Sequence, residues 1–125
     1  MILDTNAVSA MADRNPALLK VIGAANQIML SFISAAEFRY GLLGSSKPNP
    51  GLQLIHRLES TIPVFFPDSQ TLEHYAWIAD HLKRKGRPIL HNDIWTAALA
   101  RQHSLPILST DRHFDFIDGI QRLAW

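Results

Sequence analysis

The sequence has no cysteine among its 125 residues. This absence excludes disulfide bonds, thiolate metal sites and cysteine nucleophiles, and it fits the reducing cytoplasm in which we expect the protein to act. No apolar run is long enough to cross a bilayer, and Asp4 ends the first run without any basic region before it. We therefore expect neither a signal peptide nor contact with a membrane.

Motifs of several enzyme classes are also missing. The chain has no glycine-rich phosphate-binding loop, which leaves nucleoside triphosphate hydrolysis without support, and it has no HExxH zinc motif. The net charge is only +1, so overall charge does not indicate nucleic-acid binding. Hydrophobic residues make up 47% of the chain and charged residues 18%, which predicts a single domain over residues 1–125 with a sizeable core.

The hydrophobic pattern alternates between short β-prone runs and helices. Asn15 before Pro16 and Asp68 before the next helix are typical N-caps, and the segment SAAE at 34–37 matches a capping box. Such alternation predicts an α/β fold, a three-layer α/β/α sandwich with a mostly parallel central sheet. The predicted strands cover 1–3, 28–33, 62–66, 106–109 and 123–125, and the predicted helices cover 17–25, 34–43, 52–58, 69–85 and 93–103.

Four acidic residues stand where the strands of such a sheet end. Asp4 and Asp111 each follow a predicted strand, whereas Glu37 and Asp93 lie in the first turns of predicted helices. Ligand sites in open parallel sheets form beyond the carboxyl ends of the strands, so we expect these carboxylates to converge. Other acids, such as Asp13, have polar neighbours that predict a solvated position.

Each of the four acids also has a purely structural interpretation. Asp4 and Asp111 can cap turns, and Asp93 can favour the positive end of its helix. Glu37 can be the capping-box partner of Ser34. Gathered together, however, four carboxylates repel one another and destabilise the fold unless they take up protons or a cation. Mg²⁺ or Mn²⁺ prefers carboxylate oxygens and can assist phosphoryl chemistry, so the pattern predicts such an ion at Asp4.

Four segments carry a further signal: LDTN at 3–6, SAAE at 34–37, NDIWTAA at 92–98 and STDRHF at 109–114. Each is unspecific alone. In this order and at this chain length they resemble the PIN-domain ribonucleases, and most closely the VapC-type toxins of bacterial type II toxin–antitoxin systems. The resemblance spans nearly the whole chain. It implies a PIN-like fold and a Mg²⁺- or Mn²⁺-dependent endoribonuclease that hydrolyses RNA phosphodiester bonds.

The resemblance also implies that the four acids form the catalytic site. Asp4 and Asp93 would be the principal metal ligands. Glu37 and Asp111 would bind the metal directly or through water, and they would help to orient the attacking water. Asp115 lies close to Asp111 in the sequence, so the choice between these two residues for the fourth position stays open.

Supporting residues follow from the same resemblance. Thr5 and Asn6 would donate hydrogen bonds that fix Asp4. Ser109 keeps the hydroxyl of the threonine that the family often has at this position. Three further residues are candidates for contact with the substrate: Arg112, His113 and Arg39.

The partners that the resemblance implies are an RNA substrate, a cognate antitoxin protein and a second copy of the chain in a homodimer. Segments 38–43 and 52–58 are candidate contact surfaces, although both can equally be core faces of helices. The basic stretch 83–87 can contact RNA, or it can simply favour the negative end of its helix.

Other functions fit the residues less well. A haloacid-dehalogenase-like phosphatase with Asp4 as nucleophile needs a second aspartate two residues later, where the chain has Asn6. Histidine acid–base ribonuclease chemistry stays open from spacing alone, but it leaves the four acids unexplained. The alternative to an enzyme is a non-catalytic PIN-like module that binds RNA or protein, which is expected to have lost one of the acids.

Overall fold

The computed structural model describes every residue from Met1 to Trp125. Its strands are β1 (Ile2–Leu3), β2 (Met29–Ser31), β3 (Val64–Phe65), β4 (Ile107–Leu108) and β5 (Arg122–Leu123). Its helices are α1 (Thr5–Ala12), α2 (Pro16–Gly23), α3 (Phe32–Leu43), α4 (Asn49–Thr61), α5 (Ser69–Arg84) and α6 (His91–Gln102), followed by a 3₁₀ helix at Arg112–Phe116. None of the helices combines the length and the apolar composition that a membrane span requires.

All five strands pair in parallel, in the spatial order β3-β2-β1-β4-β5. The chain first adds β2 and β3 on one side of β1 and then adds β4 and β5 on the other side. The strand order therefore reverses between β1 and β4. Ligand sites in such sheets form at this switch point, outside the carboxyl ends of the strands. Asp4 and Ser109 follow β1 and β4 directly, and both therefore lie at the switch point.

Two hydrophobic clusters cover the two faces of the sheet. Ile2 and Ile107 pack with α5 and α6, whereas Leu3 and Leu108 pack with α1 to α4. Successive residues of a strand point to opposite faces, so the two residues of β1 and the two residues of β4 each supply both cores. The three-layer arrangement with a parallel sheet confirms the predicted fold class.

Helix α1 was not predicted from the sequence. Its residues Thr5–Ala12 bury only Ala7 and Val8 among the side chains, which gives a weak helical pattern. Asp4 occupies the N-cap position but makes no side-chain capping bond, so the usual start signal is missing too. This helix places its first turn beside the ends of β1 and β4.

The predicted capping box at 34–37 is wrong. Helix α3 begins at Phe32, and its N-cap is Ser31, whose Oγ accepts a hydrogen bond from the backbone N–H of Ser34 at 3.0 Å. The carboxylate of Glu37 is not used for capping, because it is bonded to side chains from other helices. The interpretation of Glu37 as the capping-box partner of Ser34 is therefore wrong.

Candidate active site

An open cleft of about 520 Å³ lies at the carboxyl edge of the sheet. Its lining contains all four acids that were expected to converge, Asp4, Glu37, Asp93 and Asp111. Asp13 is exposed to solvent, as expected, and it also lines this open cleft. No sequence pattern indicated this position for Asp13, because Asp13 caps the end of the unpredicted helix α1. No lysine, arginine or histidine is among the lining residues, so the cleft is strongly negative.

Asp4 is held at the floor of the cleft by two neutral side chains. Its Oδ2 accepts hydrogen bonds from Asn6 Nδ2 at 3.0 Å and from Ser109 Oγ at 2.7 Å. The carboxylate is buried, and this burial raises the pKa of Asp4 above its usual value, with the charges of Glu37 and Asp111 adding to the effect. The bond from Ser109 opposes the shift. Asn6 and Ser109 therefore lie where the resemblance implied.

Thr5 was expected to fix Asp4, but the side chain of Thr5 does not bond to Asp4. Its Oγ1 donates instead to Oε2 of Glu37, while Asn92 Nδ2 donates to Oε1 of Glu37 at 2.6 Å. Thr5 is the first residue of α1, and α1 packs against α3, which carries Glu37. Asn92 was part of the 92–98 motif but had no predicted role. Together Thr5 and Asn92 hold both oxygens of Glu37.

Asp93 carries the one buried side-chain polar atom of the structure without a hydrogen-bond partner, its Oδ2. Burial, followed by the charges of Asp4, Asp111 and Glu37, raises the pKa of Asp93 to about 6. A buried carboxylate oxygen without a donor is unfavourable, because it has lost water and gained nothing in exchange. This oxygen needs a proton or a cation.

The structure brings Asp111 rather than Asp115 to the cleft. Asp111 also caps the 3₁₀ helix, because its Oδ1 accepts the backbone N–H of His113 at 2.9 Å. Asp115 is turned towards Arg122, which donates to its two oxygens at 2.7 and 2.8 Å and lowers its pKa. The geometry therefore favours Asp111 as the fourth acid.

The predicted substrate residues separate into two groups. Arg112 and His113 are exposed and directly follow Asp111, next to the cleft. Arg39 is not among the lining residues, and its guanidinium pairs with Glu59 of α4. Arg39 lies two residues after Glu37 on α3, and side chains at that spacing do not share a helix face. The prediction that Arg39 contacts substrate therefore has no support from the structure.

The donor set of the cleft fits a hard divalent cation. Five carboxylates line it without a basic side chain to neutralise them, and one oxygen is buried without a donor. Carboxylate oxygens are the protein ligands that Mg²⁺ and Mn²⁺ prefer. An ion bound here would relieve the repulsion among the acids and satisfy Oδ2 of Asp93.

Comparison with known proteins identifies the family. The sequence profile of the PIN domain matches residues 1–120. The chain belongs to the PIN domain family. Ribonuclease VapC1 of Haemophilus influenzae strain R2866 is 28% identical over 128 residues, covering 98% of this chain and 96% of the relative. The tRNA(fMet)-specific endonuclease VapC of Shigella flexneri is 29% identical over 126 residues, with coverages of 98% and 96%.

Solved structures agree with this assignment to the PIN domain. VapBC-1 from nontypeable Haemophilus influenzae superposes with a TM-score of 0.85 at 29% identity, covering 99% of this chain and 96% of the other. The resemblance to PIN-domain proteins of the VapC type is thereby confirmed over nearly the full chain, and with it the PIN-like fold.

Proposed function

We propose that this PIN-domain protein is a divalent-metal-dependent endoribonuclease and the toxin of a type II toxin–antitoxin system. The observation that carries the proposal is the buried, unpartnered Oδ2 of Asp93 in a cleft lined by carboxylates. The names of the relatives, ribonuclease VapC1 and tRNA(fMet)-specific endonuclease VapC, support RNA as the substrate. The reaction is hydrolysis of a phosphodiester bond.

Asp4, Glu37, Asp93 and Asp111 are the residues that hold the ion, Mg²⁺ or Mn²⁺. When bound, such an ion polarises a phosphoryl oxygen, activates water and stabilises the leaving oxygen. It also offsets the negative charge of the cleft, which would otherwise repel the phosphate backbone of RNA. These acids therefore serve both catalysis and substrate binding.

The side chains around the acids keep them in place for this work. Asn6 and Ser109 hold Asp4 through its Oδ2. Thr5 and Asn92 donate to the two oxygens of Glu37 and fix its orientation. A carboxylate fixed in this way is suited to bind the ion through water and to orient the attacking water. Neutral donors serve this purpose without competing with the cation for the acids.

The exposed residues beside the cleft contact the RNA backbone. Arg112 follows Asp111 directly and provides a cation next to the acids. Since no basic side chain lines the cleft itself, we assign to the exposed Arg112 the binding of a phosphate that flanks the cleaved bond. Arg112 therefore contributes to binding rather than to the chemical step.

A cognate antitoxin and a second copy of the chain complete the proposed assembly, which acts in the cytoplasm. The solved relative from Haemophilus influenzae is a VapBC protein, which supports an antitoxin partner. Of the two segments suggested as contact surfaces, 52–58 contributes Ile55 and Leu58 to the core. Segment 38–43 has the solvent-facing side chains Tyr40 and Leu43, which are 78% and 85% exposed. These two residues are the better candidates for a protein contact.

The test is cleavage of a total-RNA pool by the purified chain with Mg²⁺ or Mn²⁺, with excess EDTA, and with the variant Asp93→Asn. Asp80→Asn is the matched control, because Asp80 is exposed on α5 and pairs only with Arg84. Discrete fragments that need metal and disappear only in the Asp93 variant support the proposal. Folded protein that binds RNA without cleaving it under any metal would favour the non-catalytic module instead.

A further inference from the structure

His113 adds a nitrogen donor to the oxygen donors of the cleft. Its Nδ1 lies 3.2 Å from Oδ1 of Asp111. One ligand atom from each of Asp93, Asp111 and His113 lies within 4.8 Å of the other two. The set therefore contains one imidazole and two carboxylates, and the proposed reaction uses only the carboxylates.

The backbone holds His113 at this position. Phe114, the next residue, is fully buried, and it anchors the 3₁₀ helix to the core. On the other side, Asp111 accepts the backbone N–H of His113 at 2.9 Å. The imidazole itself is about half exposed, with 53% of the side chain accessible. It is therefore free to adjust its rotamer, while its backbone keeps it beside the acids.

The spacing of these atoms suits metal coordination. Neighbouring ligands of an octahedral ion at about 2.1 Å lie about 3 Å apart, and Nδ1 of His113 and Oδ1 of Asp111 are 3.2 Å apart. The third member of the set, Asp93, has the buried oxygen without a hydrogen-bond partner. The unpartnered oxygen of Asp93 indicates a cation beside these residues, and the contact of Nδ1 with Asp111, which is itself an ion-pair contact, puts the imidazole within reach of it.

We infer, on the basis of the proposed function, that His113 is a nitrogen ligand of the ion held by Asp93 and Asp111. Mg²⁺ is a hard cation that favours oxygen ligands, whereas imidazole nitrogen is a softer donor that suits transition metals. The site accordingly binds a transition-metal ion such as Mn²⁺ more tightly than Mg²⁺. Loss of the imidazole leaves an all-oxygen site in which this preference is smaller.

The experiment uses Mn²⁺ as the probe, because it is paramagnetic, and the full-length chain in the absence of RNA. Binding is followed by the electron paramagnetic resonance of free Mn²⁺, and pulsed spectra report coupling to a directly bound ¹⁴N nucleus. The test variant is His113→Gln. The matched control is His56→Gln, since His56 is exposed on α4 and outside the cleft.

We expect nitrogen coupling in the wild type and in His56→Gln, and none in His113→Gln. Mn²⁺ affinity of His113→Gln should fall at least about tenfold, since loss of an outer-sphere partner alone costs on the order of 10- to 100-fold. Mg²⁺ affinity, measured by competition against Mn²⁺, should change much less. The wild-type spectrum decides the question even if the variant fails to fold.

Two other results are informative in different ways. Bound Mn²⁺ without nitrogen coupling in the wild type would overturn the inference and leave the proposed function intact. His113 would then act on RNA phosphate, and His113→Gln would raise the KM for RNA at unchanged Mn²⁺ affinity. A folded wild type that binds neither ion would overturn both the inference and the metal-dependent nuclease.

Discussion

Asn6 and Ser109 are 103 residues apart in the chain, yet Nδ2 of Asn6 lies 2.9 Å from Oγ of Ser109, and both donate to Asp4. The contact exists because β1 and β4 are neighbours at the switch point of the sheet. Burial raises the pKa of Asp4, and the hydrogen bond from Ser109 opposes part of this rise. Removal of the hydrogen bond from Ser109 to Asp4 gives the first test of the site.

Ser109→Ala should destabilise the metal-free protein by about 1.5–3 kcal/mol, the range for a hydrogen bond to a charged group. The loss of this donor leaves Oδ2 of Asp4 with Asn6 alone and raises the pKa of Asp4 further. Urea unfolding measures the change. Ser109→Thr keeps the hydroxyl and serves as the control; equal stability of Ala, Thr and wild type would contradict the proposed role of the bond.

Asp93→Asn should abolish RNA cleavage without lowering the melting temperature of the metal-free protein. The amide has nearly the same shape as the carboxylate, and it removes the repulsion with Asp4, Asp111 and Glu37. Activity is measured on total RNA, and melting by circular dichroism in EDTA. A clear drop in the melting temperature would show instead that Asp93 serves mainly to stabilise helix α6.

The metal-free protein should lose stability as the pH rises from about 4 to about 6. The pKa of Asp93 is about 6 in the folded state against 3.8 for the free side chain, so the folded state binds this proton more tightly. Its stabilising effect is complete below pH 3.8 and is lost as the pH passes the folded-state pKa. The raised pKa of Asp4 acts in the same direction.

Urea unfolding in EDTA over this pH range measures the effect. In Asp93→Asn the free energy of unfolding should depend less on pH, because the proton-binding carboxylate is gone. Saturating Mn²⁺ should stabilise the wild type most at the upper end of the range, where the carboxylates are ionised. A stability that rises from pH 4 to 6 equally in both proteins would contradict the assignment to Asp93.

Asp111→Asn and Asp115→Asn should differ sharply in activity. Asp111 lines the cleft, whereas Asp115 is paired with Arg122 outside it. We expect the first variant to lose cleavage and the second to keep it, because the bidentate pair of Asp115 with Arg122 lies outside the cleft. Initial rates on the same RNA measure the difference. If only Asp115→Asn lost activity, Asp115 rather than Asp111 would be the fourth acid of the site.

Much of the site was predictable because it depends on a local pattern. Acids that follow strands or begin helices in an alternating chain meet at one edge of a parallel sheet, whatever the order of the strands. The convergence of Asp4, Glu37, Asp93 and Asp111 follows from that rule. The N-caps at Asn15 and Asp68 follow from the local preference of these side chains for accepting backbone N–H groups at a helix start. The sequence by itself therefore determined the fold class and four of the five acids of the cleft.

The tertiary structure alone decided which residue holds which acid. Thr5 bonds to Glu37 rather than to Asp4 because α1, which has almost no sequence signal of its own, packs against α3. Asp13 reaches the cleft on the same helix. Hydrogen-bond partners such as Asn6 and Ser109 are chosen by strand adjacency across the whole chain. Local propensity contains no information about that adjacency, because it arises only when both cores pack on the sheet.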